Sequence, residues 1–96
     1  MHTREPVNED ALVRWMIRTI ASLVRVDPAS LGPTTAFEDL GLSSLAAVTM
    51  TSELSDHFDI DVDALVTWDH PTIGEVARAI CSGRVGSHRV AGSRAD

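Results

Sequence analysis

Three stretches of this chain repeat their apolar residues at helical spacing, and nothing in it alternates long enough to build a sheet. From about Asp10 to Arg25, Leu12, Val13, Met16, Ile17, Ile20, Leu23 and Val24 share one face at about 100° per residue. Arg14, Arg18, Ser22 and Arg25 fall opposite, with Trp15 nearer the polar side. A second helix is predicted from about Ser44 to His57 or Phe58. Ala47, Val48, Thr51, Leu54 and Phe58 make its inner face, and Met50 lies on a flank. The third opens at Thr72, where Thr72 and Glu75 match a capping box. Ile73, Val76, Ala77 and Ile80 form its stripe, and Gly83 is a stop signal.

The connections shape the bundle. Proline disfavours helical geometry in the residue before it, so Asp27-Pro28 ends the first helix. The loop that follows, to Ser43, is longer than the usual connection and carries Leu31, Phe37, Leu40 and Leu42, which should pack onto the helices. Asp59-Ile60-Asp61-Val62-Asp63 alternates like a strand, but a single strand makes no sheet, so an extended connection is expected with Ile60 and Val62 inward. Residues 64–68 give at most one helical turn. The predicted fold is all-α: a four-helix bundle of three main helices plus a short one, with a long first loop. The domain should span residues 9–82, between a flexible lead-in at 1–8 and a flexible tail at 83–96.

Composition narrows the function classes. A chain of 96 residues with 44% hydrophobic residues is one small globule. Its net charge of −6 argues against nucleic acid, whose recognition needs a basic footprint. The lone cysteine, Cys81, excludes an internal disulfide and reads as a small core or rim residue. No apolar run nears the ~20 residues of a membrane span, and the start lacks a signal peptide's apolar core. A cytoplasmic monomer is the expectation, and Met1 with short flanks suggests a free-standing protein.

Charge is unevenly spread. Residues 26–77 contain no Lys or Arg but ten acids: Asp27, Glu38, Asp39, Glu53, Asp56, Asp59, Asp61, Asp63, Asp69 and Glu75. Bundled helices usually mix signs to gain i,i+4 pairs, so this segment suggests a docking surface for basic partners.

Self-contained chemistry finds little support. Asp59, Asp61 and Asp63 mimic the opening of a calcium loop, but Ala64 stands at its glycine position and His70 at its closing glutamate, so no metal is expected. Gly41-Leu42-Ser43-Ser44-Leu45 is not a nucleophile elbow, because no glycine follows the serines. His57 lies roughly 220° around the helix from Ser44 and cannot serve it as a base. His70, before a proline, reads as a surface or capping residue. The serine pair remains: Ser43 is a good N-cap, and Ser44 then occupies the first helical position, where free amides and the dipole favour an anion.

From Leu12 to Ile80 this pattern resembles the acyl carrier protein family. The family's F-x-x-L-G-x-D-S-L segment is matched by Phe37-Glu38-Asp39-Leu40-Gly41-Leu42-Ser43-Ser44-Leu45 at all but one position. Val26-Asp27-Pro28 is similar to its G-V-D-P, with Arg25 in place of the glycine, and Trp68-Asp69-His70-Pro71-Thr72 resembles the F-D-H-P-T of many polyketide-synthase carriers. The resemblance implies that Ser44 is the attachment site for 4'-phosphopantetheine, moved from coenzyme A by a phosphopantetheinyl transferase. The arm's thiol would hold acyl intermediates as thioesters and present them to an acyltransferase or acyl ligase, a ketosynthase and other pathway enzymes, with no catalysis by the carrier. Ser43 stands where the family usually has Asp, so helix capping and transferase recognition fall to a hydroxyl. The helix after Ser44 would be the recognition helix. Leu45, about 140° from its buried face beside Thr49, Glu53 and Asp56, is the expected anchor, with Leu42 as a loop contact. The helix is less acidic than in typical fatty-acid-synthesis carriers, and together with Trp68–Thr72 the resemblance implies polyketide or related specialised biosynthesis. The competing reading is an acidic helical interaction module without a prosthetic group.

Overall fold

The computed structural model describes residues 7–83 and 87–88, the last two by their backbone. Helix α1 (Glu9–Val24) is started by Asn8, whose side chain accepts from the Ala11 amide at 2.8 Å, with Glu9 and Asp10 favourably placed at the positive end of its dipole. It ends at Arg25, which takes the left-handed conformation at φ 62°. A one-turn helix α2 (Phe37–Leu40) lies inside the long first loop, after a 3₁₀ turn at Pro28–Ser30 capped by Asp27. Then come α3 (Ser44–Phe58), a two-residue strand β1 (Ile60–Asp61), the short α4 (Val66–Asp69), α5 (Ile73–Cys81) and a second strand β2 (Ser87–His88). Three main helices, with one short helix between the second and third, form the expected bundle; the α2 turn is an addition to it.

α1 packs against α5 and α3. Leu12, Met16 and Ile20 of α1 meet Met50 and Leu54 of α3 and Ile73 and Val76 of α5, all essentially without solvent contact. Burial of each such side chain contributes about 1.5–3 kcal/mol before the entropy of ordering is set against it. Two polar residues share this interior, each with its hydrogen bond made. Thr51 Oγ1 donates to the Ala47 carbonyl at 2.9 Å, and Ser55 Oγ accepts from the Val62 amide at 3.1 Å. The second bond pins the extended segment after α3 to the helix.

Several side chains depart from the helical-wheel expectation. Trp15 is buried rather than polar-facing: its ring stacks on His57 at 5.6 Å and meets Phe58 edge-on at 6.1 Å. Along α3 the buried face is turned toward Met50, which is fully inside, while Val48 is 51% exposed. Leu23, assigned inward, sits at the surface near the end of α1. Cys81 is exposed at the last turn of α5, where desolvation and the Glu9 carboxylate push its thiol pKa up. The segment read as an unpartnered extension does find a partner: Ile60 pairs with His88 and Asp61 with Ser87, antiparallel. Apart from these two strand residues and Gly83, the tail lies outside the described residues, as does most of the lead-in.

The long loop is stitched to the start of α5. Phe37 N donates to Pro71 O at 2.9 Å, Ile73 N to Thr35 O at 3.1 Å and Gly74 N to Pro33 O at 2.7 Å. The last two bonds satisfy α5 amides that have no partner inside their own helix. Thr72 Oγ1 accepts from the Glu75 amide at 3.1 Å, the capping half of the box. Gly74 is needed for the approach, since a Cβ there would lie 2.9 Å from the Pro33 carbonyl oxygen.

Candidate functional site

The serine pair sits where the stitched loop enters α3. Phe37 is buried, so α2 is anchored by its first residue, and the Phe37–Pro71 bond ties it to the segment before α5. Gly41 follows α2 at φ 66°, a left-handed conformation that glycine adopts without the Cβ clash of other residues. That turn brings Leu42, half-buried against the core, and Ser43 to the helix start. Ser43 is extended (φ −74°, ψ 165°), and its Oγ accepts from the Ala46 amide at 3.0 Å, the N-cap expected of it. Its carbonyl accepts the first helical bond, from Ala47 N at 2.9 Å. Ser44 is therefore the first residue of a fifteen-residue helix, and it is exposed.

A cleft of about 550 Å³ opens beside Ser44. Phe37, Leu42 and Ala47 line one side, and Thr67, Trp68 and Pro71 the other. Trp68 in its lining is largely exposed, and Leu45 after Ser44 and Leu65 before α4 also lie at the surface, Leu45 at 76% exposure. Glu53 and Asp56 are exposed farther along α3, and Thr49 is half-buried. Sequence reasoning misses Val48, Leu65 and Trp68 as surface residues. A wheel centred on Met50 finds Val48; a one-turn helix carries too few residues for periodicity to place Leu65 or Trp68.

The other candidates lie elsewhere. His57 belongs to the last turn of α3, about 20 Å along the helix from Ser44 at 1.5 Å per residue, and stacks on Trp15. His70 is half-buried and ends α4 through its backbone, its amide donating to Val66 O at 3.0 Å. Asp63 makes a local turn, with its carboxylate accepting from Leu65 N at 2.9 Å. Among the described residues, no helix is long and apolar enough to cross a membrane.

The fold and site together define a small helical domain that presents a serine, next to a cleft, at the start of its second main helix. Residues 14–80 match the family model for the phosphopantetheine attachment site, and the chain belongs to that family of carrier domains. It is 30% identical over 69 residues to the non-reducing polyketide synthase Preu8 of Preussia isomera, covering 72% of this chain. It is 31% identical over 75 residues, 78% of this chain, to non-reducing polyketide synthase 1 of Elsinoe fawcettii. The matches span only 3% of each of those much longer proteins. The crystal structure of a free-standing peptidyl carrier protein from a secondary metabolic pathway of Acinetobacter baumannii superposes with a TM-score of 0.74 at 25% identity, covering 80% of this chain and 96% of that one.

The residues present suit the family's prosthetic group, 4'-phosphopantetheine. Ser44 is accessible for esterification, and the first-turn amides of α3 favour the negative charge of a phosphodiester. The cleft beside it is lined by apolar side chains from the long loop, α3 and the α4 region, among them Phe37, Leu42, Ala47 and Trp68.

Proposed function

We propose that this domain carries acyl intermediates of a polyketide or related specialised pathway on a phosphopantetheine arm esterified to Ser44. The observation that carries the reading is the placement of Ser44: exposed, first in α3, beside a cleft, and inside the matched family segment. Once attached, the arm supplies a terminal thiol that holds the acyl group. The chain's own part is to hold the serine at a rigid helix start, to favour the phosphodiester charge, and to show partners a surface. The α3 helix is anchored from below by Ala47, Met50 and Leu54, so Ser44 stays positioned while its outer face remains free of core duties. In this reading separate enzymes perform every chemical step.

In this reading partner recognition falls to exposed side chains of α3 and the α4 region. Leu45, with Val48, Leu65 and Trp68, supplies apolar contacts; Glu53 and Asp56 steer basic partners, and Thr49 and Leu42 flank the anchor. The partners in this reading are a phosphopantetheinyl transferase, an acyltransferase or acyl ligase, and a ketosynthase. Ser43 replaces a carboxylate by a hydroxyl at the cap, so the transferase meets one negative charge fewer there.

The test is incubation with coenzyme A, magnesium and a broad-specificity transferase, followed by intact-mass measurement. The expected result is a gain of one phosphopantetheine that disappears in Ser44→Ala while the helical circular dichroism is retained. A folded protein that gains nothing, both as wild type and as Ser43→Asp, would overturn the reading in favour of an interaction module.

A further inference from the structure

The two tryptophans of the chain are placed in opposite ways. Trp15 is 8% exposed and belongs to the ring cluster with His57 and Phe58 at the end of α3. Trp68 is 71% exposed and takes no part in the ring contacts among the described residues. Of the four residues of α4 only Val66 is buried, so the core has no use for this indole. Tryptophan is highly buried on average, which makes a ring left this far in solvent unusual. Its place is specific as well. Trp68 lines the same cleft as Ser44, with Phe37, Leu42, Ala47 and Pro71 in the lining. At about 550 Å³ the cleft has the size of a small-molecule site, whose usual range is about 300–1,000 Å³.

We propose that Trp68 is a positioning residue for the arm on Ser44, its indole packing against the branched, dimethyl-bearing portion that follows the phosphate. The inference rests on the reading of Ser44 as the attachment site and adds the surface on which the arm lies. The chemistry of the arm selects that portion. Its phosphodiester is favoured at the start of α3 by the first-turn amides. The amides and the thiol farther out keep their hydrogen bonds best in water or in a partner. The dimethyl carbon is the apolar part nearest the point of attachment, and Ser44 and Trp68 share one cleft. Packing the two methyl groups on the indole and the neighbouring apolar side chains removes apolar surface from water on both sides. The arm is then held near its root, and its direction of departure from the domain is restricted.

The experiment compares the full-length apo protein with the fully loaded one, loading being established by intact mass. Proton NMR follows the two methyl groups of the arm. In the loaded wild type they should lie upfield of their positions in free coenzyme A, shifted by the indole ring current, and should cross-relax with indole protons. Trp68→Leu should return them to the coenzyme A positions, with the helical circular dichroism and the Trp15 indole signals unchanged. Trp68→Phe should keep part of the shift, because a smaller ring remains. Acrylamide quenching of Trp68 emission should fall on loading, while buried Trp15 is unaffected. A fully loaded wild type with methyl positions as in coenzyme A would overturn the proposal and leave Ser44 as the attachment site. A shift that survives Trp68→Leu would overturn it too, giving the contact to another part of the cleft. A protein that gains no mass fails at the earlier step and overturns both readings.

Discussion

Helices α5 and α4 follow each other in the chain and are built to opposite ends. α5 turns Ile73, Val76, Ala77 and Ile80 into the core and keeps Glu75 and Arg78 outside. α4 commits Val66 alone to the interior, and Trp68 on it and Leu65 just before it remain at 71% and 61% exposure. The same division runs around α3, where Met50, Leu54 and Phe58 pack and Leu45 and Val48 do not. Apolar residues therefore come in two populations. One holds the bundle, and the other stays exposed, on α3 and the α4 region at Leu45, Val48, Leu65 and Trp68 and at the end of α1 at Leu23 and Val26. Scattered exposed leucines are ordinary, but Leu45 follows Ser44 on α3 and Trp68 lines the cleft beside it, so these two are where an interaction surface is expected.

The sharpest way to break this division is a pair of truncations on one helix. Leu54→Ala, at 1% exposure, should cost about 2–5 kcal/mol, because it removes packed methyl groups and leaves a cavity. Leu45→Ala, nine residues earlier at 76% exposure, should change stability by at most about 0.5 kcal/mol, yet slow transfer of the arm by partner enzymes. Urea unfolding reads the first effect, and initial rates of transferase loading read the second. Comparable destabilisation by the two would show that α3 has no free face. Normal loading rates in Leu45→Ala would remove it from the docking surface.

How much of this is legible in the sequence differs by element. The starts of α3 and α5 are readable because Ser43 and Thr72 cap by local bonds that need no tertiary information. The inner stripe of α5 is readable because a single strong periodicity leaves one choice of face. α3 is harder. Its apolar residues cover more than a half-turn, so the choice between Val48 and Met50 is decided by where α1 lies, and periodicity is silent on that. Trp15 defeats the wheel for a similar reason: its partners His57 and Phe58 come from the far end of α3, distant in the sequence. The strand pair between residues 60–61 and 87–88 is invisible because two residues make no pattern. Ser44 itself is legible through the family's motif. Its exposure and the cleft beside it come only with the fold.

The site's backbone gives the second test. Gly41 sits at φ 66° in open space, so a Cβ meets no neighbour and the cost of Gly41→Ala is conformational alone, about 1–2 kcal/mol. Gly74→Ala is the contrasting case, since there the added Cβ meets the Pro33 carbonyl. If Gly41 serves mainly to deliver Ser43 into its capping position, Gly41→Ala should also slow loading of Ser44, and Gly41→Asn should restore part of the rate because Asn tolerates the left-handed region. Equal loading by wild type and both variants would make the turn a stability device only.

The smallest expected effect lies at the other helix end in the left-handed region. Arg25 closes α1 at φ 62°, with its own amide and that of Val26 both donating to Ala21 O, the latter at 3.0 Å. This is the position where the family's motif carries glycine. The Cβ of Arg25 costs about 1–2 kcal/mol in that conformation, against about 0.5–1 kcal/mol for the extra freedom a glycine has when unfolded. Arg25→Gly should therefore stabilise the protein by about 0.5–1 kcal/mol, a higher urea midpoint with an unchanged slope. Asp59, which ends α3 at φ 61°, provides the control. Asp enters the left-handed region more readily, so Asp59→Gly should gain less. Arg25→Ala separates the causes, because it removes the charge and the long side chain but keeps the Cβ. No gain in Arg25→Ala beside a gain in Arg25→Gly would assign the strain to the backbone, whereas equal gains would assign it to the arginine side chain.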